Sequence, residues 1–166
     1  MAEDRFALRP GERRLGFDPA THPRAQLTFI GRIRSSWGPE NCPKNLMRAR
    51  DSGQTATVEI DLPYRAGLEG IAPGDRVLLL YWMDHAPRDL IRQVPRHRPE
   101  GAGVFALRSP ARPNPVSLAA VVCTAIDHAA GRMQIDAIDC YDGTPLLDIK
   151  PWLPTVDIPP DTITSG

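Results

Sequence analysis

The stretch Val104–Leu118, V-F-A-L-R-S-P-A-R-P-N-P-V-S-L, sets Pro110, Pro113 and Pro115 in close succession. Each proline fixes its own φ near about −65° and removes a backbone N–H, and each pushes the residue before it toward extended geometry. The segment can be neither helix nor free coil. G-V-F-A-L-R predicts a strand running into it, and V-S-L-A-A-V-V-C predicts one leaving it. A stiff loop carrying Arg108, Arg112 and Asn114 between two strands holds polar groups in fixed positions, which lowers the entropy lost on binding. An ordinary proline-rich connection with surface arginines would read the same way.

Proline recurs along the whole chain, 18 in 166 residues. That spread predicts many turns and no long helix. The length suits one domain that buries a core without disulfides or metal. Leu27–Arg34 reads as a strand with Leu27, Phe29 and Ile33 on one face. Thr55–Leu62 alternates cleanly, with Ala56, Val58, Ile60 and Leu62 inward. Arg76–Met83 is a continuous apolar run, predicting a central strand buried on both faces. Asp89–Val94 suggests one helical turn, Pro95–Gly103 a charged loop, and Val104–Arg108 a strand. Val116–Asp127 and Arg132–Ile138 form a hairpin about Ala129-Ala130-Gly131, with Met133, Ile135 and Ala137 on one face. Asp142-Gly143-Thr144-Pro145 is a turn, and Leu146–Lys150 a last short strand. Short strands separated by turns predict an all-β fold: a small, closed or nearly closed antiparallel barrel with few helical turns.

Net charge is zero but unevenly placed: residues 1–126 carry 18 Lys and Arg against 13 Asp and Glu, and residues 127–166 carry 2 against 7. Six arginines between His85 and Arg112 make a basic stretch suited to a polyanion, or to a solvated loop. Cys42, Cys123 and Cys140 form no C-x-x-C, and His22, His85, His97 and His128 lack metal-ligand spacing, so no metal is expected. The N-terminus has no apolar h-region, and Val77–Met83 is too short to span a bilayer, so a cytoplasmic protein is expected. Glu100-Gly101-Ala102-Gly103 is not a dinucleotide fingerprint, and no Walker loop or G-x-S-x-G occurs. What remains are polar groups at strand ends: Asp84, His85, Arg108, Arg112, Asn114, Asp139, Asp142, Asp148 and Lys150. A carboxylate at a tight turn can accept from ribose hydroxyls, and an arginine can hold a carboxylate or phosphate. Tyr81, Trp82 and Tyr141 could stack on a base. Together they suggest a nucleotide-like ligand.

The long signature G-V-F-A-L-R-S-P-A-R-P-N-P-V-S-L, followed by D-C-Y-D-G-T-P-L-L-D-I-K-P-W-L-P, resembles the YaeB/TsaA-like family, the TrmO-type methyltransferases. I-G-R-I-R-S fits the family's opening strand. The resemblance covers about residues 27–157, which divides the chain into an arm (1–26), a barrel domain (27–157) and a tail (158–166). It implies a non-Rossmann β-barrel that binds S-adenosylmethionine, a homodimer with the cofactor near the interface, and N6-methylation of threonylcarbamoyl-adenosine beside the anticodon of tRNA. The cofactor contacts it implies fall on Pro43, Lys44 and Asn45, on Asp84 and His85, on Arg108 and Leu118, and on Asp139, Tyr141, Asp142, Gly143 and Thr144. Asp84, His85 and Asp142 are the candidates to take the proton from the acceptor nitrogen. Arg88, Arg92, Arg112 and Asn114 would meet RNA. Lys150 is a further candidate there, although D-I-K-P also suits a pairing with Asp148 or Asp142.

The chain departs from the family pattern in three places. P-K-N stands where P-R-Q is usual, Ser117 where glycine is usual, and Trp152 where tyrosine is usual. The sequence also ends soon after the motif, where tRNA-methylating bacterial members tend to carry a further region. Two other readings therefore stand beside the first: a methyltransferase of the same fold acting on a small molecule, and a cofactor-binding module without catalysis.

Overall fold

The computed structural model describes residues 8–21 and 25–160. The outer parts of the expected arm and tail, and His22, lie outside the described residues. In chain order the strands are β1 (Arg13–Arg14), β2 (Gly31–Arg34), β3 (Ala56–Ile60), β4 (Arg76–Trp82), β5 (Leu90–Gln93), β6 (Ala102–Gly103), β7 (Val116–Asp127), β8 (Arg132–Ile135) and β9 (Thr144–Pro151). Two short helices, α1 (Leu46–Asp51) and α2 (Pro154–Asp157), and three 3-10 segments complete the described chain.

Six strands close into an antiparallel barrel in the order β2-β3-β8-β7-β4-β9, as expected from the alternating patterns. Their inward residues make one core. Ile33 from β2, Ala56, Val58 and Ile60 from β3, Val77, Leu79 and Tyr81 from β4, and Met133 and Ile135 from β8 are all buried. The barrel is tight where β2 begins. A Cβ on Gly31 would stand 2.0 Å from the Glu59 carbonyl oxygen, so the backbones of β2 and β3 meet as closely as they do only because no side chain is there. β9 pairs with both β2 and β4 and so closes the ring. A register shift at Leu80/Tyr81 marks its run along β4.

Several local expectations are corrected. The first strand starts at Gly31 rather than Leu27, leaving Leu27 and Phe29 exposed beside Trp82 and Val116. β3 stops at Ile60. Leu62 opens a 3-10 segment with Pro63 and is exposed, because the proline ends the ladder. β4 is central, with β7 and β9 as neighbours, but its outward residues Leu78, Leu80 and Trp82 are only half-buried. Leu90–Gln93, expected as a helical turn, is a strand. It lies between β1 and β6 in a separate three-stranded sheet, so part of the expected irregular arm is paired. Residues Val104–Ala106, expected as a strand, form a 3-10 turn. β8 ends at Ile135, and there the Asp136 carboxylate continues the pairing by accepting from the Val122 amide at 2.7 Å.

Candidate functional site

One end of the barrel gathers the chemistry. Antiparallel pairing puts the C-terminal ends of β2 and β4 beside the N-terminal ends of β9 and β7, and β8 ends against the middle of β7. The loop after β2 and the segment after β8 are bolted together there. The Trp37 Nε1 donates to the Ile138 carbonyl at 2.7 Å, the Ser35 hydroxyl to the Cys140 carbonyl at 2.8 Å, and the Asp142 amide to the Trp37 carbonyl at 2.8 Å. The turn that follows is tightened by the buried Thr144 hydroxyl, which donates to the Tyr141 carbonyl at 2.8 Å. Gly143 takes φ +81°, a conformation side chains rarely adopt, which is why glycine follows Asp142.

The proline segment is held from within. Arg112 donates to the carbonyls of Ser109 (2.8 Å), Val104 (2.9 Å) and Leu107. A fork with several donors can tie three carbonyls of one bend, which prolines cannot do for themselves. Arg88 crosses to the same segment, donating to the Pro113 carbonyl at 2.7 Å and to Asn114 Oδ1 at 3.3 Å, and it lies over the Trp82 ring. Arg108 is exposed and makes one bond, to the Leu118 carbonyl at 2.7 Å.

Between these pieces lies a cavity of about 300 Å³, within the range of small-molecule sites. Cys42, Pro43 and Lys44 come to it from the loop after β2, and Tyr81, Met83, Asp84, His85 and Ala86 from the end of β4. Arg108 and Pro110 enter from the proline segment, Ser117 from β7, and Asp139, Tyr141 and Thr144 from the segment leading into β9. Its polar lining carries both signs of charge beside aromatic rings. The Tyr81 hydroxyl donates to Asp139 Oδ1 at 3.2 Å. Burial, then the neighbouring Asp139 charge, pushes the Tyr81 phenol well above its ordinary value. Burial likewise raises the Asp139 carboxyl, although the Tyr81 bond and the Arg108 charge pull it down. Burial also pushes the Cys140 thiol up to about 12, so it rests as a neutral thiol. The His85 and Tyr141 rings are tilted against each other, centroids 5.8 Å apart.

Of the sequence-predicted residues, Pro43, Lys44, Asp84, His85, Arg108, Asp139, Tyr141 and Thr144 line this cavity. The others stand elsewhere. Asn45 caps α1, its side chain accepting from the Arg48 amide. Leu118 is an exposed residue of β7 whose carbonyl receives Arg108. Gly143 shapes the turn. Asp142 pairs with Arg34 at 3.4 Å and accepts from the Ser35 amide at 3.2 Å. Arg92 donates to the Gly11 carbonyl at 2.6 Å and to that of Glu100, tying the small sheet together. Lys150 pairs with Asp148 at 2.8 Å, as its place in D-I-K-P allowed. Asn114 lies with Arg88 beside a second, apolar groove. Tyr81, expected as a ring that could stack on a base, lines the cavity too, whereas Cys42, Met83, Ala86, Pro110 and Ser117 were not anticipated as lining residues. The two-residue period from Val77 through Leu79 does point Tyr81 inward. Among the described residues, no group of three or more His, Cys, Asp or Glu could hold a metal ion. No helix there is long and apolar enough to cross a membrane.

Fold and site together define a closed antiparallel β-barrel protein with a mixed-charge cavity at one rim. Residues 33–158 match the tRNA-methyltransferase O N-terminal domain, and the chain belongs to that family. A Rhizobium radiobacter protein named a probable S-adenosyl-L-methionine-binding protein, VirR, is 36% identical over 129 residues, covering 76% of this chain and 70% of its own. An Archaeoglobus fulgidus S-adenosyl-L-methionine-binding protein is 36% identical over 132 residues, covering 79% and 91%. The crystal structure of TrmO from Pseudomonas aeruginosa superposes with a TM-score of 0.64 at 32% identity, over 82% of this chain and 58% of that one. The present chain thus spans less than two thirds of that TrmO.

Proposed function

We propose that this chain is an S-adenosylmethionine-dependent methyltransferase that binds its cofactor in the barrel-rim cavity. Its acceptor is N6 of threonylcarbamoyl-adenosine beside the anticodon of tRNA. The observation that carries the reading is convergence. Eight residues singled out by the sequence, from four separated stretches of chain, line one cavity. The donor set suits the cofactor: Arg108 and Lys44 complement a carboxylate, Asp139 and Asp84 complement an ammonium or ribose hydroxyls, and Tyr141 offers a ring face.

When bound, the cofactor supplies a methyl group on a sulfonium, whose charge is lost on transfer. The protein's part is first to fix geometry, since such a transfer depends above all on in-line placement. The braces from Ser35 and Trp37 and the internal ties of Arg112 hold two walls of the cavity before any ligand arrives. The acceptor nitrogen must also release a proton. Asp84 and His85 line the cavity and are exposed, so either can take it, whereas Asp142 is turned toward Arg34. Arg88 and Asn114 sit beside the exposed apolar groove next to the proline segment, where an RNA loop could lie.

The test is calorimetry with S-adenosylmethionine, followed by transfer of labelled methyl to tRNA with and without the threonylcarbamoyl group. No binding heat and no labelled modified tRNA would sink the reading. Neutral overall charge favours a second reading, a small-molecule acceptor. Labelling in a metabolite extract but not in tRNA would select it, and tight binding without turnover on either would select a non-catalytic module.

A further inference from the structure

Tyr81 belongs to no motif, yet it sits where the core becomes the site. It is the last inward residue of β4, 3% exposed, and still reaches the cavity. It pairs across the ladder with Ser117 on one side and Leu146 on the other, next to the register shift of β4 against β9. Its hydroxyl donates to Asp139 Oδ1 and is the only side-chain donor to that carboxylate among the described residues. The backbone around Asp139 is already pinned, by Trp37 at the Ile138 carbonyl and by Ser35 at the Cys140 carbonyl. The remaining freedom is rotation of the carboxylate itself, which Tyr81 restrains together with a backbone hydrogen bond from Asp139's own amide.

We propose that Tyr81 is a positioning residue for cofactor binding: its hydroxyl fixes the Asp139 carboxylate so that the second oxygen meets a hydrogen-bond donor of S-adenosylmethionine. The inference rests on the cofactor reading of the cavity. A carboxylate that accepts a ligand donor must be charged. Burial opposes that charge, while the tyrosine bond and Arg108 favour it. Tyr81 therefore sets both the direction of the carboxylate and the pH below which it protonates and lets the ligand go. The titratable groups facing Asp139 are Tyr81 from β4, Arg108 from the proline segment and Cys140 beside it. Asp84 and His85 lie on the same cavity wall.

The experiment measures S-adenosylhomocysteine affinity against pH by calorimetry, for the wild type, Tyr81→Phe, Asp139→Asn and the double variant. Phenylalanine keeps the ring in the core and removes one hydrogen bond to a charged group, so affinity at neutral pH should fall by about tenfold. The acid limb of the binding profile should move to higher pH in Tyr81→Phe. In Asp139→Asn that limb should vanish. The double variant should bind no more weakly than Asp139→Asn alone, because Tyr81 acts through the carboxylate. An unmoved acid limb in Tyr81→Phe, or additive losses in the double variant, overturns the proposal. A wild type that binds no S-adenosylhomocysteine overturns the cofactor reading instead, so the two failures are told apart.

Discussion

Arg108 and Arg112 lie in the same rigid segment, but their guanidinium groups face different tasks. Arg112 serves three carbonyls of its own loop, so Arg112→Ala leaves half-buried acceptors without donors. The expected cost is on the order of 2 kcal/mol, a drop in melting temperature of about 4–8 °C, and Arg112→Lys should recover little of it. Arg108 is exposed and makes a single bond, so Arg108→Ala should melt within about 2 °C of the wild type while losing about tenfold in cofactor affinity. A scanning-calorimetry trace with a titration for each variant separates the two roles. Asp139 gives the residue-scale pH prediction. Its carboxyl is raised in the folded state, so its contribution to stability is full at pH below about 4, near its unfolded value, and is lost as pH rises through the folded value. Asp139→Asn should therefore melt higher than the wild type at pH 7, with the difference disappearing in acid, and should bind cofactor poorly. A lower melting temperature at pH 7 would contradict this.

At the scale of elements, the site depends on how strand ends are braced. Trp37 joins the loop after β2 to the segment before β9 through one indole hydrogen bond. Trp37→Phe should cost about 1 kcal/mol from that bond and weaken cofactor affinity, although Trp37 is not among the cavity residues. Gly31→Ala drives a Cβ into the Glu59 carbonyl oxygen, and neither backbone can yield without opening the β2–β3 ladder. Urea titration should show a loss of about 2–3 kcal/mol. These elements were unevenly legible in the sequence. Alternation in β3, the apolar run of β4 and the β7–β8 hairpin carry their own period and turn residues. β5 does not: Leu90–Gln93 is four residues long, and one of its partners, Arg13–Arg14, lies far back in the chain. Val104–Ala106 has the apolar composition of a strand but bends, because the carbonyls of Val104 and Leu107 turn toward Arg112. Cavity-lining residues were legible where a motif held them, as at Arg108 or Asp139. Tyr81 was legible as an inward ring from the period of β4, but Met83 and Ser117 joined the cavity only when the barrel closed, through cross-strand placement that local sequence does not encode.

For the molecule as a whole, the ordering of strands matters more than any one of them. β9 follows every other barrel strand in the sequence, yet it pairs with β2, the first. Contacts between residues so far apart in sequence slow folding, so stopped-flow refolding should run in milliseconds to seconds rather than microseconds. Gly31→Ala, whose clash lies in the β2–β3 ladder, should chiefly slow folding where that ladder is built in the transition state and chiefly speed unfolding where it is not, which the two limbs of a chevron distinguish. Closure has a further consequence for a chain being made on a ribosome. At roughly 5–20 residues per second, β8 is complete on the order of a second before β9, and until then the strands from β2 to β8 have two open edges that only β9 can join. Thr144, the first residue of β9, is also a wall of the cavity. A nascent chain short of that strand has neither a closed barrel nor a complete cavity, so any ligand the cavity takes can reward only a barrel whose synthesis has passed β9.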